Sequence, residues 1–385
     1  MQLYERISLQ ADIILLNERD IKMKEYLYEL KGKCIEKIAK TADRVKDGIP
    51  CFTTGGMYND YSDEENIRCW TNSFYAGILW KMYDQTGDER YLEYAVGIEK
   101  KLEKVLYNFE TLDHDVGFIW LLSGVEHYQH SGDKRAKNDS LLAASVLASR
   151  YNMGSGVIRA WDNGLGAGAA IIDCMMNLPL LYWASDITGD NRFKKVAQAH
   201  ADKAAKHFVR ADGSVKHIVL FDTETGIEIA NYGGQGYKVG SAWSRGQSWA
   251  LYGFALSYKL SEKKEYLEQS IKTAEYFINE AQKNNWKIKC DFRQPEECEL
   301  YDSSAAAIAA NGLIELYKLT DHKDYLDAAV QLIKCCDENF CPWNSKDEAL
   351  LAYACEAYSV GVQKGLIYGD YYFFDAVCKL YEIYK

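Results

Sequence analysis

Apolar positions along the chain recur with the 3.6-residue period of helices, and β-branched alternation is sparse. Two kinds of segment alternate. NSFYAGILWKMYDQ (72–85), VGFIWLLSGVEHYQH (116–130), NLPLLYWASDI (177–187), GQSWALYGFALSYKL (246–260), AAAIAANGLIELYKL (305–319) and YYFFDAVCKLYEIYK (371–385) are apolar nearly all round, as helices buried on every side must be. Segments such as YLEYAVGIEKKLEKVL (91–106) and YLDAAVQLIKCC (325–336) carry apolar residues on one face only. A short polar turn joins each of the first five to the amphipathic segment that follows: TGDERYLEYA (86–95), SGDKRAKNDS (131–140), TGDNRFKKVA (188–197), SEKKEYLEQS (261–270) and TDHKDYLDAA (320–329). The spacing is irregular, so this is a degenerate repeat.

Six buried helices alternating with six amphipathic ones predict an all-α fold, an (α/α)6 barrel in one domain over 1–385, with outer helices over 1–45. An open α-solenoid is the alternative. Because the short turns lie at one end, the longer connections gather at the other, with the N-termini of the inner helices. The longest connection, ADGSVKHIVLFDTETGIEIANYGGQGYKVGS (211–241), holds two alternating runs around TETG and predicts a β-hairpin lid.

The residues before each inner helix are chemically alike: Arg68 to Asn72, Asp113-His114-Asp115, Arg159-Ala160-Trp161 with Asp173, Trp243 to Trp249, Tyr301 to Ser304, and Tyr368 to Tyr371. Carboxylates, arginine, histidine and tryptophan recur where ordinary caps are Ser, Thr and Asn. In a barrel they converge on one polar, aromatic-walled pocket suited to a sugar. Asp173 stands in IIDCMMNLPLLYWAS (171–185), read as a buried helix start. It is either a helix cap or a carboxyl whose pKa burial raises.

Composition narrows the classes. A net charge of −11 argues against nucleic acid and anionic membrane as partners. The 11 cysteines, an odd number without CxxC or Cys/His ligand spacing, point to reduced thiols in a cytoplasm. The start MQLYERISLQADIILL lacks a signal-peptide pattern, and no segment has the length of apolar chain that spans a membrane. Aromatics reach 13%, enough to wall a sugar cleft as well as fill a core. The DHD triplet suggests a metal, but no second His/Asp cluster supports one, so neither metal nor cofactor is expected.

DHDVGF (113–118), IRAW (158–161), IIDCMMNLPLL (171–181), GGQGY (233–237), WSRGQSWALYG (243–253) and YGDYYFFDA (368–376) resemble the unsaturated glucuronyl hydrolases, glycoside hydrolase family 88, in the family's order. RGQSW is shared with the unsaturated rhamnogalacturonyl hydrolases, whereas DHDVGF with IIDCMMNLPLL is more specific to the glucuronyl group. The resemblance implies an (α/α)6 barrel that removes a 4,5-unsaturated uronic acid from lyase-made disaccharides of chondroitin, hyaluronan or heparin type. Asp173 then matches the general acid/base and Asp115 the second essential aspartate. His114, Trp161, His217, Gln235, Arg245 and Trp249 match positions that hold the uronate, and Trp70 an aromatic wall.

Proton donation at neutral pH requires desolvation to raise Asp173 above the ordinary aspartate value, with Asp115 ionised or hydrogen-bonded to substrate hydroxyls. Asp115 also reads as an N-cap for VGFIWLL, and Asp113 and Asp302 as caps. His217 also reads as a solvated loop residue. Arg245 pairs either with the uronate or with a barrel acid, and Trp161 and Trp249 serve either the sugar or the core. Members that accept sulfated disaccharides carry Ser-x-x-Ser-x-Lys. Here Ser359 and Lys364 match, and Val362 replaces the second serine. A pectin-directed hydrolase and a non-catalytic sugar-binding barrel are the other functional readings.

Overall fold

The computed structural model describes residues 2–108, 112–162 and 164–385, with side chains from residue 20 onward. Twelve helices alternate between an outer and an inner ring. The outer ones are α1 (Gln2–Val45), α3 (Glu89–Leu106), α5 (Lys134–Ser149), α7 (Asn191–His207), α9 (Lys264–Lys283) and α11 (Lys323–Asn339). The inner ones are α2 (Phe74–Thr86), α4 (116–131, with a π-helical stretch at Leu121–Val125), α6 (Leu178–Thr188), α8 (Ser244–Ser261), α10 (Ser303–Thr320) and α12 (Ile367–Tyr384). Within 1–45, expected as outer helices, the described residues Gln2–Val45 form one long helix.

Each inner helix packs on its neighbours in order, and α12 returns against α2, so the ring is closed and the solenoid alternative falls. The fold is an (α/α)6 barrel. Its interior holds such fully buried side chains as Trp80, Trp120, Trp249 and Phe373. The apolar-all-round pattern was the signature of this double contact.

The turn repeat has a backbone cause. Gly87, Gly132 and Gly189 end α2, α4 and α6 at φ of 69°, 71° and 72°, left-handed caps that glycine adopts without a Cβ clash. Asp88, Asp133 and Asp190 then cap the next helix by accepting from its first amides. In the two divergent turns Glu262 and Asp321 hold the same left-handed position, at φ of 60° and 58°. These tight turns close one end and leave the long connections at the other.

Those connections carry short paired strands, first β1 (Thr53–Thr54) with β2 (Met57–Tyr58) and β3 (Tyr151–Asn152) with β4 (Val157–Ile158), and two later connections build the site. The hairpin β6 (Ile218–Phe221) and β7 (Glu228–Tyr232) lies within the expected 211–241 segment. It is joined to β5 (Ala169–Ile171) in an antiparallel sheet ordered β5-β6-β7, with Ile171 opposite Ile218. The segment between α11 and α12 forms a short ladder of Ala354–Cys355 with Gln363–Lys364.

Candidate active site

Asp173 does not lie at the start of the buried α-helix as expected, but in a turn just before it. Ile171 ends strand β5, residues Ile172–Met176 make a 3-10 turn, and α6 begins only at Leu178 with Pro179 in its first turn. The sheet fixes what faces Asp173. His217 directly precedes β6, and its carbonyl accepts from the Ile172 amide at 3.1 Å. His217 Nε2 then lies 3.6 Å from Asp173 Oδ1.

The tautomer of His217 follows from its other nitrogen. The Gln235 amide, which can only donate, lies 3.0 Å from Nδ1. The Gly233 carbonyl lies at 3.3 Å from the same atom and is the longer contact. Nδ1 is therefore the acceptor, and the ring proton sits on Nε2 toward Asp173. Burial holds His217 below the ordinary histidine value, which favours this neutral form. His217 is buried and packed at a tilt against Trp243 with ring centres 4.4 Å apart, so the solvated-loop reading fails.

Asp115 stands before α4 without capping it by its side chain. Burial pushes its carboxyl up to about 7, and the nearby Asp113 and Asp173 charges add to this against the opposing pull of His114. Enclosure works against the ionised alternative for Asp115, because the charge would lose its water, and suits the other one, a hydrogen bond to substrate hydroxyls. The Ala160 carbonyl, 2.9 Å from His114 Nδ1, can only accept, so that nitrogen carries hydrogen. His114 Nε2 lies 3.3 Å from Asp115 Oδ1. The DHD triplet brings three potential ligand atoms within 4.8 Å of one another, with the Nδ1 face of His114 turned to the carbonyl.

Asn177 was missed as a site residue. Its Nδ2 donates to Asp115 Oδ1 at 3.2 Å, and its Oδ1 accepts from the Phe118 amide at 2.6 Å. An Asn before a proline-containing first turn reads as a cap, and only the tertiary fold turns it toward a neighbouring helix. The close approach needs Gly117, where an added Cβ would come within 2.5 Å of Asn177 atoms.

The aromatic residues divide by depth. Trp70, half-buried, packs against Tyr368 at 4.9 Å and Phe118 at 5.3 Å between ring centres. Trp249 is fully buried beneath them, 5.4 Å from Phe118, and belongs to the floor. Trp161, half-buried, meets His114 edge-on at 5.5 Å.

Arg245 is fully buried. It pairs with Asp302 at 2.5 Å and donates to the Cys355 and Glu356 carbonyls. Its guanidinium is thus committed to a barrel acid and to the 354–358 backbone. Asp302 also caps α10 through the Ser304 amide, so it is both cap and counter-ion.

Gln235 spans the mouth. Its amide holds His217 while its side chain donates to the Glu356 carbonyl at 2.8 Å. Lys364 Nζ lies 3.3 Å from Glu356 Oε2 and 3.6 Å above the Phe52 ring. Ser359 is exposed, and so is Val362.

Two carboxyls, each beside a histidine, in an aromatic-walled mouth at the inner-helix N-termini of an α/α barrel define a sugar-hydrolysing enzyme. Residues 41–286 match the family model for Glycosyl Hydrolase Family 88. The chain is 35% identical over 368 residues to the unsaturated glucuronyl hydrolase of Bacillus sp. (strain GL1), covering 91% of this chain and 95% of that one. It is 31% identical over 380 residues to the unsaturated chondroitin disaccharide hydrolase of Streptococcus pyogenes serotype M1, covering 95% and 94%. The crystal structure of the Bacillus enzyme superposes with a TM-score of 0.84 at 33% identity, over 91% of this chain and 95% of that one. That of a Streptococcus agalactiae unsaturated glucuronyl hydrolase mutant complexed with dGlcA-GalNAc6S gives a TM-score of 0.78 at 27% identity, over 93% and 92%. The chain belongs to glycosyl hydrolase family 88 and is a glycoside hydrolase.

Proposed function

We propose that this hydrolase removes the 4,5-unsaturated uronic acid from the non-reducing end of lyase-generated glycosaminoglycan disaccharides. The observation that carries this reading is the Asp173–His217 pair in a mouth shared with the nearly neutral Asp115. The C4=C5 bond is a vinyl ether, because C5 bears the ring oxygen. Asp173 protonates C4, and the positive charge that develops at C5 is stabilised by that oxygen. Water adds at C5 and gives its proton to the Asp173 carboxylate. The hemiketal opens to a C5 ketone, and C1, now a hemiacetal, collapses to an aldehyde and expels the inner sugar.

One carboxyl thus serves as acid and then base, unlike the paired displacement of ordinary glycosidases. His217, with its proton on Nε2, orients Asp173. Asp115, its protonated form favoured by burial and its carboxyl seated by Asn177, donates a hydrogen bond to a sugar hydroxyl. Trp70 and Trp161 wall the pocket, with His114 between the second tryptophan and Asp115.

Among the described residues no helix is long and apolar enough to cross a membrane. The 11 unpaired cysteines support a cytoplasmic setting. Turnover abolishes the conjugated uronate, so absorbance near 235 nm falls as purified protein consumes substrate. Asp173→Asn retains binding and loses kcat by about 10³-fold or more. Failure to consume chondroitin, hyaluronan and heparin disaccharides overturns the proposal, and consumption of pectin-derived substrates alone redirects it.

A further inference from the structure

Two thiols at the mouth play no part in that chemistry. Cys51 and Cys69 both touch the Thr71 hydroxyl, with sulfur to oxygen distances of 3.3 Å and 3.2 Å. The shared hydroxyl holds the two sulfurs close together. Cys51 is buried and fixed, its amide donating to Asn59 Oδ1 and its carbonyl accepting from the Ile367 amide at the start of α12. Cys69 is half-buried and directly precedes Trp70, whose ring packs on Tyr368.

The surroundings divide the two chemically. The Cys51 thiol beside it, and after that the Thr71 amide, hold Cys69 below the usual thiol value at about 6, against the effect of burial. Cys51, beside Cys69 in a buried position, is pushed well up. A partly accessible thiolate beside a resolving thiol is the arrangement that peroxides oxidise selectively.

We infer that Cys51 and Cys69 form a peroxide-oxidisable dithiol at the lip of the substrate mouth, which closes to a disulfide and displaces Trp70. The Cys69 thiolate attacks one peroxide oxygen, the O–O bond breaks, hydroxide leaves, and Cys69 becomes a sulfenic acid. The Cys51 thiol attacks that sulfur, and its proton leaves with the sulfenic hydroxyl as water. The two sulfurs lose two electrons, and hydrogen peroxide becomes one water and one hydroxide. An S–S bond of about 2.05 Å draws Cys69 toward the tethered Cys51, and Trp70 moves with it. A dithiol reductant reverses the change.

A second contacting pair, Cys290 and Cys355, is an internal control. Both are fully enclosed at 0% exposure, out of reach of peroxide.

The experiment treats the whole protein with stoichiometric hydrogen peroxide, quenches free thiols with N-ethylmaleimide and maps peptides by mass. A Cys51–Cys69 peptide two hydrogens lighter is expected, with none joining Cys290 to Cys355. Turnover falls about fivefold or more and recovers with dithiothreitol, since misplacing a positioning wall costs rate. Cys51→Ser retains starting activity and yields no linked peptide, and its Cys69 becomes reactive to dimedone. Should that variant misfold, the rate of Cys69 alkylation against pH in the wild type gives the same test, with a midpoint below that of an ordinary thiol. Absence of the linked peptide overturns the inference, and so does a linked peptide with unchanged turnover. Only the turnover readout rests on the proposed function; the linked peptide is independent of it.

Discussion

His217 Nε2 and Asp173 Oδ1 face each other at 3.6 Å, too far for a hydrogen bond, and both atoms are buried without a hydrogen-bond partner among the described residues. Two such atoms left unpaired are costly unless a ligand or the developing charge of a reaction engages them. His217→Ala is expected to lower kcat by about 10²-fold, the lower end of what a positioned acid–base group contributes. Gln235→Ala retains the backbone amide that sets the His217 tautomer and forfeits only the bond to Glu356, so a loss of a few-fold is expected. Both are checked by following uronide absorbance.

Asp115 gives a pH test with a defined sign. Its folded value of about 7 lies above the unfolded aspartate value of about 3.9. Between these values the unfolded chain has released a proton that the folded chain still binds, so wild-type stability falls as pH rises through that window and levels off above it. Asp115→Asn removes this loss. Its melting temperature relative to wild type is expected to climb from pH 4 to pH 7 and then hold, at a gain on the order of 1 kcal/mol or more. Turnover by wild type declines above pH about 7 as Asp115 ionises, and the amide variant lacks that decline while its kcat is much reduced. A melting difference that does not change with pH would contradict the assignment.

Arg245 separates a structural from a binding role. As a buried ion pair with Asp302, its loss leaves an uncompensated charge, and Arg245→Met is expected to cost about 3–5 kcal/mol in urea unfolding. An arginine that held the uronate directly would instead raise KM at unchanged stability. Asp302→Asn is expected to destabilise to a similar extent, since the two share one contact.

The Lys364–Glu356 pair bears on sulfated substrates. Glu356 stands 55% exposed in its side chain and occupies the Lys364 ammonium at 3.3 Å. Glu356→Gln releases that cation, and kcat/KM for a sulfated disaccharide is expected to rise a few-fold relative to the unsulfated one, about 1 kcal/mol of selectivity. A competition assay with the two disaccharides measures the ratio. Lys364→Ala reverses its direction.

Much of the barrel was legible because double burial leaves a plain mark. Trp80 and Phe373 sit in runs apolar on all sides, and a helix so patterned must be covered everywhere. Asp115, Asp173 and Trp70 were legible as the unusual residues preceding inner helices. Three features were not. The 3-10 turn at Asp173 follows from the pairing of Ile171 with Ile218, a contact between residues 47 positions apart that no local pattern encodes. The role of Asn177 depends on α4 and α6 approaching at Gly117. The commitment of Arg245 to Asp302 depends on neighbouring helices within the closed ring. Each is a tertiary contact that overrides a local preference for cap, helix or free cation.

The pairing of β5 with β6 also decides how the pocket exchanges its contents. Asp173 follows one strand of this sheet and His217 precedes the other, so their spacing is ruled by backbone hydrogen bonds. Raising the hairpin as a flap would unzip that ladder and part the acid from its orienting histidine. The hairpin is therefore a fixed jamb of the catalytic doorway. Across from it the 353–362 segment, carrying exposed Tyr353, Val360 and Val362, forms the facing post, held by the Gln235 and Arg245 bonds to the Glu356 carbonyl and by its own ladder at Ala354–Cys355.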